Sequence, residues 1–334
     1  MSDKIVVVTG ASGFIGGHIV YKAVAEGYRV RAVARVKKVA DTKERFASAG
    51  DKVEVFGVDD IINGSFKEVL TGAWGVIHAA SPLPGKGTHE EVVNAGRGGA
   101  TNIFNQAIEL GIKNLVLISS MSSVKPPGFQ NTKLTEKDWN PITWEQATGP
   151  DASPFAAYDG SKALAEKAVW EIVEKHPDVE FAAVLPVFNL GPFPTGTKIA
   201  PHDYNSFSTN VLIGWLFFNQ IPMAWNHEIV DVRDVAAVAV ASLTAPPTSK
   251  VGRKRFPVAS DHWPNSNEVV EYVSSVRPQL KDAFTAESKS QPPPPEHYFD
   301  TSFTKQTLGV KFTPWTETVV DAVDSVIATQ KSWE

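Results

Sequence analysis

Ile5-Val-Val-Val-Thr-Gly10-Ala-Ser-Gly13-Phe-Ile-Gly16 is the stretch whose reading decides the fold. A β-branched apolar run stops at one glycine, and two more follow at intervals of three before a helical pattern opens. In such a turn each glycine has its own task. Gly10 allows a tight reversal, Gly13 lets backbone approach a phosphate, and Gly16 lets the helix lie close on the strand. The helix N-terminus offers free N–H groups and a positive dipole end to an anion. The loop of Gly10, Ser12, Gly13, Phe14, Ile15 and Gly16 therefore reads as a cradle for a dinucleotide pyrophosphate. A bare glycine triplet occurs by chance in flexible loops; the strand before it and the helix after it give this one its weight.

Outward from this turn, short apolar runs alternate with helical patterns through the first two thirds of the chain. Strands are expected at Ile5–Thr9, Arg29–Ala34, Val53–Val58, Gly75–Ala79, Leu115–Ser119 and Phe181–Leu185. Most are apolar almost throughout, as parallel strands buried on both faces must be. Helices are expected at Gly16–Glu26, Gly99–Leu110 and Ala157–His176, the last closed by Pro177. This alternation predicts an α/β fold: a Rossmann-type, doubly wound parallel sheet with a smaller C-terminal substrate-binding region. Residues 1–190 are expected to form the dinucleotide-binding domain with the catalytic residues. Residues 191–334 are expected to be mainly substrate-binding, with some segments returning to the sheet. Past Gly191 the periodicity weakens among prolines, and Gln291-Pro-Pro-Pro-Pro-Glu296 reads as a stiff surface connector.

The segment after the second strand chooses between nicotinamides. An NAD site usually has an acid about 20 residues past the glycines to accept from the ribose 2′-OH. Tyr28 to Ala40 holds none, but carries Arg29, Arg31, Arg35, Lys37 and Lys38. A 2′-phosphate wants a guanidinium fork and nearby positive charge, so Arg35, backed by Lys38 and Arg31, points to NADPH/NADP. Asp59 and Asp60 follow the third strand, where either could accept from the adenine amino group or simply cap a turn.

Composition narrows the partners. Without cysteine, disulfides and thiolate metal sites are excluded, and the eight histidines show no metal-ligand spacing, so no catalytic metal is expected. A net charge of −5 gives no electrostatic reason to meet nucleic acid or an anionic membrane. The longest apolar run, Val211 to Ile221, is broken by Gly214, Asn219 and Gln220, and Met1-Ser2-Asp3-Lys4 leads straight into a strand. A cytoplasmic protein, monomer or homodimer, with a small-molecule partner is the expectation.

Tyr158-Asp-Gly-Ser-Lys162 places a phenol and an ammonium four residues apart on one helical face. A free phenol, with a pKa near 10, is too weak an acid for neutral pH. An ammonium about 4 Å away, at an effective dielectric near 20, is worth about 4 kcal/mol. That would bring the phenol down by about 3 pH units before desolvation opposes it. Tyr-x-x-x-Lys alone is common. Here it follows five strand–helix units and lies about 40 residues past Leu117-Ile-Ser-Ser120. A strand's C-terminal edge is where this architecture binds ligands, so Ser120 can meet Tyr158 there and polarise a carbonyl. Ser119 is assigned to turn capping.

Together these residues resemble the extended short-chain dehydrogenase/reductase family. The nearer likeness is to its dihydroflavonol reductase-like branch, with cinnamoyl-CoA reductases and yeast and fungal aldehyde, ketone and methylglyoxal reductases. Carrying it are Thr9-Gly-Ala-Ser-Gly-Phe-Ile-Gly16, Val33-Ala-Arg35, Gly64-Ser-Phe66, His78-Ala-Ala-Ser-Pro82, Ser119-Ser120, Tyr158-Asp-Gly-Ser-Lys162, Leu185-Pro186, Gly191-Pro192 and Phe312-Thr-Pro-Trp-Thr-Glu-Thr318. Thr135-Glu-Lys-Asp-Trp-Asn140 is similar to a stretch of the fungal members. The resemblance implies an NADPH-dependent carbonyl reductase with Ser120, Tyr158 and Lys162 as its catalytic group. It puts Arg35 on the 2′-phosphate, Ala79 and Ser81 along the cofactor, and Pro186 and Phe188 beside the nicotinamide. The family's adenine-side Asp falls on Asp60, although the chain looks one residue shorter there and Asp59 could serve. A second departure is Asp159-Gly160, where relatives often carry small apolar residues.

For the substrate, the irregular segments offer Leu83, Ser122, Phe155, Phe188, Tyr204 and Phe207, a largely aromatic wall that favours an apolar or aromatic aldehyde or ketone. Each aromatic could equally fill core. Rival readings are another extended short-chain enzyme (3β-hydroxysteroid dehydrogenase, epimerase or dehydratase) and a non-catalytic NADP-binding sensor. The basic cluster counts against the first and the Tyr–Lys pair against the second.

Overall fold

The computed structural model describes residues 4–82, 87–126, 133–218, 225, 227–289 and 298–333. Its centre is one parallel sheet of seven strands: β1 (Ile5–Thr9), β2 (Arg29–Ala34), β3 (Val53–Gly57), β4 (Gly75–His78), β5 (Asn114–Ile118), β6 (Glu180–Pro186) and β7 (Lys254–Val258). Their spatial order is 3-2-1-4-5-6-7, so the order reverses between β1 and β4, which pair in register at Val7 and Val76. Right-handed crossovers leaving that point in opposite directions put helices on both faces. On one face α1 (Phe14–Ala25) packs against α4 (Val232–Ser242), and on the other α2 (His89–Glu109) packs along α3 (Pro154–Val173).

The expected strands and helices are present with shifted ends. α2 begins ten residues before its expected start at Gly99, opened by a capping box between Thr88 and Glu91. Gly96, Gly98 and Gly99 hide it from a propensity reading. A Cβ on Gly96 would lie 2.9 Å from the Ser161 Cβ, so that glycine is what lets α2 approach α3. α3 starts one turn earlier than expected because Ser153 caps it, accepting from the Ala156 N–H, with Pro154 at the first helical position. Gly160 has a packing reason too: a Cβ there would lie 2.3 Å from that of Ala147.

β7 is a strand that the apolar pattern does not predict. It comes from far along the chain and pairs with β6 at Leu185 and Pro257; a proline cannot donate to a ladder, which suits it to a sheet edge. The main core surrounds the sheet. A second core is built from Leu190, Phe207, Trp215, Trp225, Val269 and the buried side of α5 (Trp315–Lys331). Among the described residues no helix is long and apolar enough to cross a membrane.

Candidate active site

The glycine turn has the shape a phosphate cradle needs. Gly10 adopts φ +69°, and its backbone approaches the next turn so closely that a Cβ would sit 2.8 Å from the Ala80 nitrogen. A Cβ on Gly16 would sit 2.1 Å from the Gly10 carbonyl oxygen, so only glycine lets α1 pack there. Gly13 is exposed at the N-cap of α1, and a Cβ on it would meet only the Gly10 oxygen, at 3.2 Å, which leaves its outer face open. Phe14 is buried against Phe193, while Ser12 and Ile15 are half-buried. Sequence reasoning missed Arg45: its Nη1 donates to the Ser12 carbonyl at 2.9 Å, bracing the loop from outside. It lies at the end of a short helix, Val39–Arg45, where no motif marks it.

Past β2, Arg35 and Lys38 are exposed, with Lys38 paired to Asp41 at 3.1 Å. Arg31 does not join them. Its guanidinium turns to the Val69 and Thr71 carbonyls at 2.8 and 2.6 Å, which corrects its expected place behind Arg35. The Asp59 Oδ1 accepts from the Val36 N–H at 2.9 Å, tying the turn after Arg35 to the end of β3. Asp60 caps its own turn, accepting from the N–H groups of Ile62 and Asn63 at 2.9 Å each. Ala79 and Ser81 follow β4 directly, across from Gly10. These features fit a phosphorylated dinucleotide: an open glycine face and a turn after β2 with Arg35 and Lys38 exposed.

Ser120, Tyr158 and Lys162 converge at the C-terminal end of β5. Ser120 is 8% exposed, and its Oγ accepts from the Ser122 N–H at 3.1 Å. The Tyr158 hydroxyl lies on the Ser120 side of the site, close enough for that hydroxyl to favour its ionised form. Lys162 is buried, its Nζ 5.9 Å from the Tyr158 ring centre and donating to the Ile118 carbonyl at 3.0 Å. Two expectations are corrected. Ser120, not Ser119, caps the turn; Ser119 Oγ instead donates to Glu166 Oε2 at 2.6 Å. Nor does the ammonium lower the phenol. Burial pushes Tyr158 up to about 12, only partly offset by the Ser120 hydroxyl, while Lys162 directs its charge at a carbonyl. Burial brings Lys162 itself down to about 8, against the opposing pull of Glu166.

On the remaining side, Pro186 ends β6 and Phe188 opens a short strand, Phe188–Leu190. The Phe188 ring stacks on His227 with centroids 4.2 Å apart. Ser122 follows Ser120 at the same turn, half-buried. The other expected wall residues scatter. Phe155 is 57% exposed at the start of α3, Phe207 is fully buried in the second core, and Tyr204 packs against Phe207 and Trp333 there. Leu83 lies outside the described residues.

Known proteins share this fold. The chain is 31% identical over its whole length to an oxidoreductase of Schizosaccharomyces pombe, covering 98% of that protein. It is 28% identical to the NADPH-dependent methylglyoxal reductase of Saccharomyces cerevisiae, over 96% of this chain and 98% of the relative. The crystal structure of the yeast methylglyoxal/isovaleraldehyde reductase complexed with NADPH superposes with a TM-score of 0.81 at 26% identity, covering 99% of this chain and all of that one. A profile of the NAD dependent epimerase/dehydratase family matches residues 6–257, and with three quarters of its length inside that match the chain belongs to this family.

Proposed function

We propose that this protein is an NADPH-dependent carbonyl reductase that converts an aldehyde or ketone, apolar or aromatic, to the alcohol. Bound NADPH supplies the hydride. Ser120 holds the carbonyl oxygen, and Tyr158 gives that oxygen its proton as the C–O bond becomes single. Lys162, released from the Ile118 carbonyl, holds the nicotinamide ribose and returns positive charge toward the phenol. Arg35 and Lys38 hold the 2′-phosphate, the Gly10–Gly16 turn the pyrophosphate, and Pro186 and Phe188 the nicotinamide.

The observation that carries this reading is the meeting of Ser120, Tyr158 and Lys162 at the sheet's ligand-binding edge, where burial keeps the phenol protonated to about 12. A proton donor must hold its proton until needed, and an alkoxide is the stronger base. The yeast relative's NADPH-dependent reduction of methylglyoxal supports it from outside. The test is nicotinamide absorbance with purified protein, NADPH or NADH, and a panel of aldehydes, diketones, α-keto esters and aromatic ketones. NADPH consumption, much faster than NADH and lost in Tyr158→Phe while NADPH still binds, is the expected result. Binding without turnover across the panel would favour a sensor, and substantial turnover by Tyr158→Phe would remove Tyr158 as the donor.

A further inference from the structure

Behind the catalytic turn lies a buried ion pair that the reaction as written does not use. Glu166 is wholly buried and Arg255, on β7, is 1% exposed; Arg255 Nε donates to Glu166 Oε1 at 2.5 Å. The other carboxylate oxygen, Oε2, takes the Ser119 hydroxyl at 2.6 Å. Ser119 Oγ lies 3.2 Å from Ser123 Oγ, and that hydroxyl donates to the Ser120 carbonyl at 2.8 Å. The guanidinium also reaches the carbonyls of Glu136 and Asp138 at 2.7 and 2.6 Å and stacks over Trp139 at 3.6 Å. Asn140, next along, donates from its backbone N–H to the Ser123 carbonyl at 2.9 Å and from Nδ2 to that of Ser122 at 2.9 Å. The turn from Ser119 to Ser123 is therefore held on one side through Ser119 by the Glu166 carboxylate and on the other by Asn140. That carboxylate also stands one helical turn beyond Lys162.

We infer that Glu166, clamped by Arg255, is a positioning residue that fixes the Ser120 turn and keeps the Lys162 ammonium charged. A buried ion pair is weak evidence for stability, since desolvation consumes much of its attraction. Here each charge has a further partner in the catalytic frame, and that is the reason to assign a role in the reaction. The groups facing Lys162 are Tyr158 and Glu166 on its own helix, the Ile118 carbonyl on β5, and His78 on β4, which burial holds neutral with a pKa of about 3. Glu166 is the anion among them. With Lys162 brought down to about 8, its charge is the first lost as pH rises, and Glu166 sets where that happens.

The inference rests on the reductase reading, so the experiment has two readouts. The kcat–pH profile is one; the other, independent of turnover, is the pH dependence of NADPH affinity followed by tryptophan fluorescence. Glu166→Gln should move the alkaline limb of both to lower pH, by about 1 pH unit. Arg255→Gln, which leaves the carboxylate unneutralised, should move them to higher pH. Ser119→Ala changes no charge; it should lower kcat about tenfold with the NADPH KM and the limb unmoved. A folded Glu166→Gln protein with wild-type limbs overturns the charge role. Wild-type kcat in Ser119→Ala overturns the positioning role, even if neither charge variant folds. Absence of turnover in the wild type, with the binding limb still shifting, would sink the reductase reading alone.

Discussion

Thr9 and His78, on the two strands between which the sheet order reverses, are joined inside the core by an Oγ1–Nδ1 hydrogen bond of 2.8 Å. Thr9 Oγ1 also accepts from the N–H groups of Ala79 and Ala80, at 3.2 Å each. Its own hydrogen must then go to Nδ1, which leaves the ring's proton on Nε2. The pair staples the start of the glycine turn to the turn that follows β4.

Thr9→Val keeps the shape and removes the staple. Two backbone N–H groups and a ring nitrogen lose their partner, at about 1–3 kcal/mol for each group left buried and unsatisfied. The expected outcome is a lower Tm and an NADPH Kd raised more than the carbonyl KM. A normal Tm together with a normal Kd would show that the staple is dispensable.

Lys162 links stability to pH. Its folded pKa of about 8 lies below its ordinary 10.5, so between those values the folded protein binds fewer protons than the unfolded chain. Stability from this group therefore rises as pH climbs from about 8 to 10.5, and below pH 8 the buried ammonium costs its full amount. That cost is about 3 kcal/mol, since each pH unit separating the folded and unfolded values is worth about 1.4 kcal/mol. Lys162→Met should abolish turnover while raising Tm at pH 7 and flattening the alkaline rise. A Tm below wild type would mean that the bond to the Ile118 carbonyl outweighs the desolvation.

Arg35→Ala tests cofactor choice. Removing the fork should raise the NADPH KM about 10-fold or more and leave the NADH KM nearly unchanged, since only the former carries a 2′-phosphate. Equal losses with both cofactors, measured by steady-state kinetics, would make Arg35 a structural residue.

Gly13 and Gly16 should separate binding from folding. Gly16→Ala forces a Cβ to within 2.1 Å of the Gly10 oxygen, so Tm and NADPH affinity should fall together. Gly13→Ala meets only that oxygen at 3.2 Å, so Tm should stay near wild type while the added methyl weakens NADPH binding. Thermal denaturation and fluorescence titration, run side by side, distinguish the two.

The fold was legible where local chemistry and tertiary structure agree. The first six strands of the sheet read directly as β-branched runs, and the glycine turn announced its own backbone. Legibility failed where a residue answers to a distant partner. The glycines of α2 look like helix breakers until α3 lies against them. Lys254-Arg-Phe-Pro-Val258 opens on two charges and carries a proline, yet it is a buried edge strand, its charges met by Glu180 and Glu166. Spacing alone brings Ser120, Tyr158 and Lys162 to one place, but does not give the direction of the Lys162 side chain, because the carbonyl it chose belongs to a strand 44 residues earlier. Phe207 and Tyr204 read as pocket wall only because an aromatic cannot tell from sequence which apolar surroundings it fills.

The late arrival of β7 sets the order in which this molecule can be completed. A nascent chain released as far as residue 190 would already hold the glycine turn and Ser120, Tyr158 and Lys162. It would also hold β6 as an unguarded sheet edge and Glu166 as a carboxylate without its counter-ion. Unpaired edges recruit other strands, and a lone buried charge is costly. A chain cut at residue 190 therefore lacks both the strand that covers β6 and the counter-ion of Glu166, and is expected to aggregate on expression, where a soluble folded fragment would show that neither is needed.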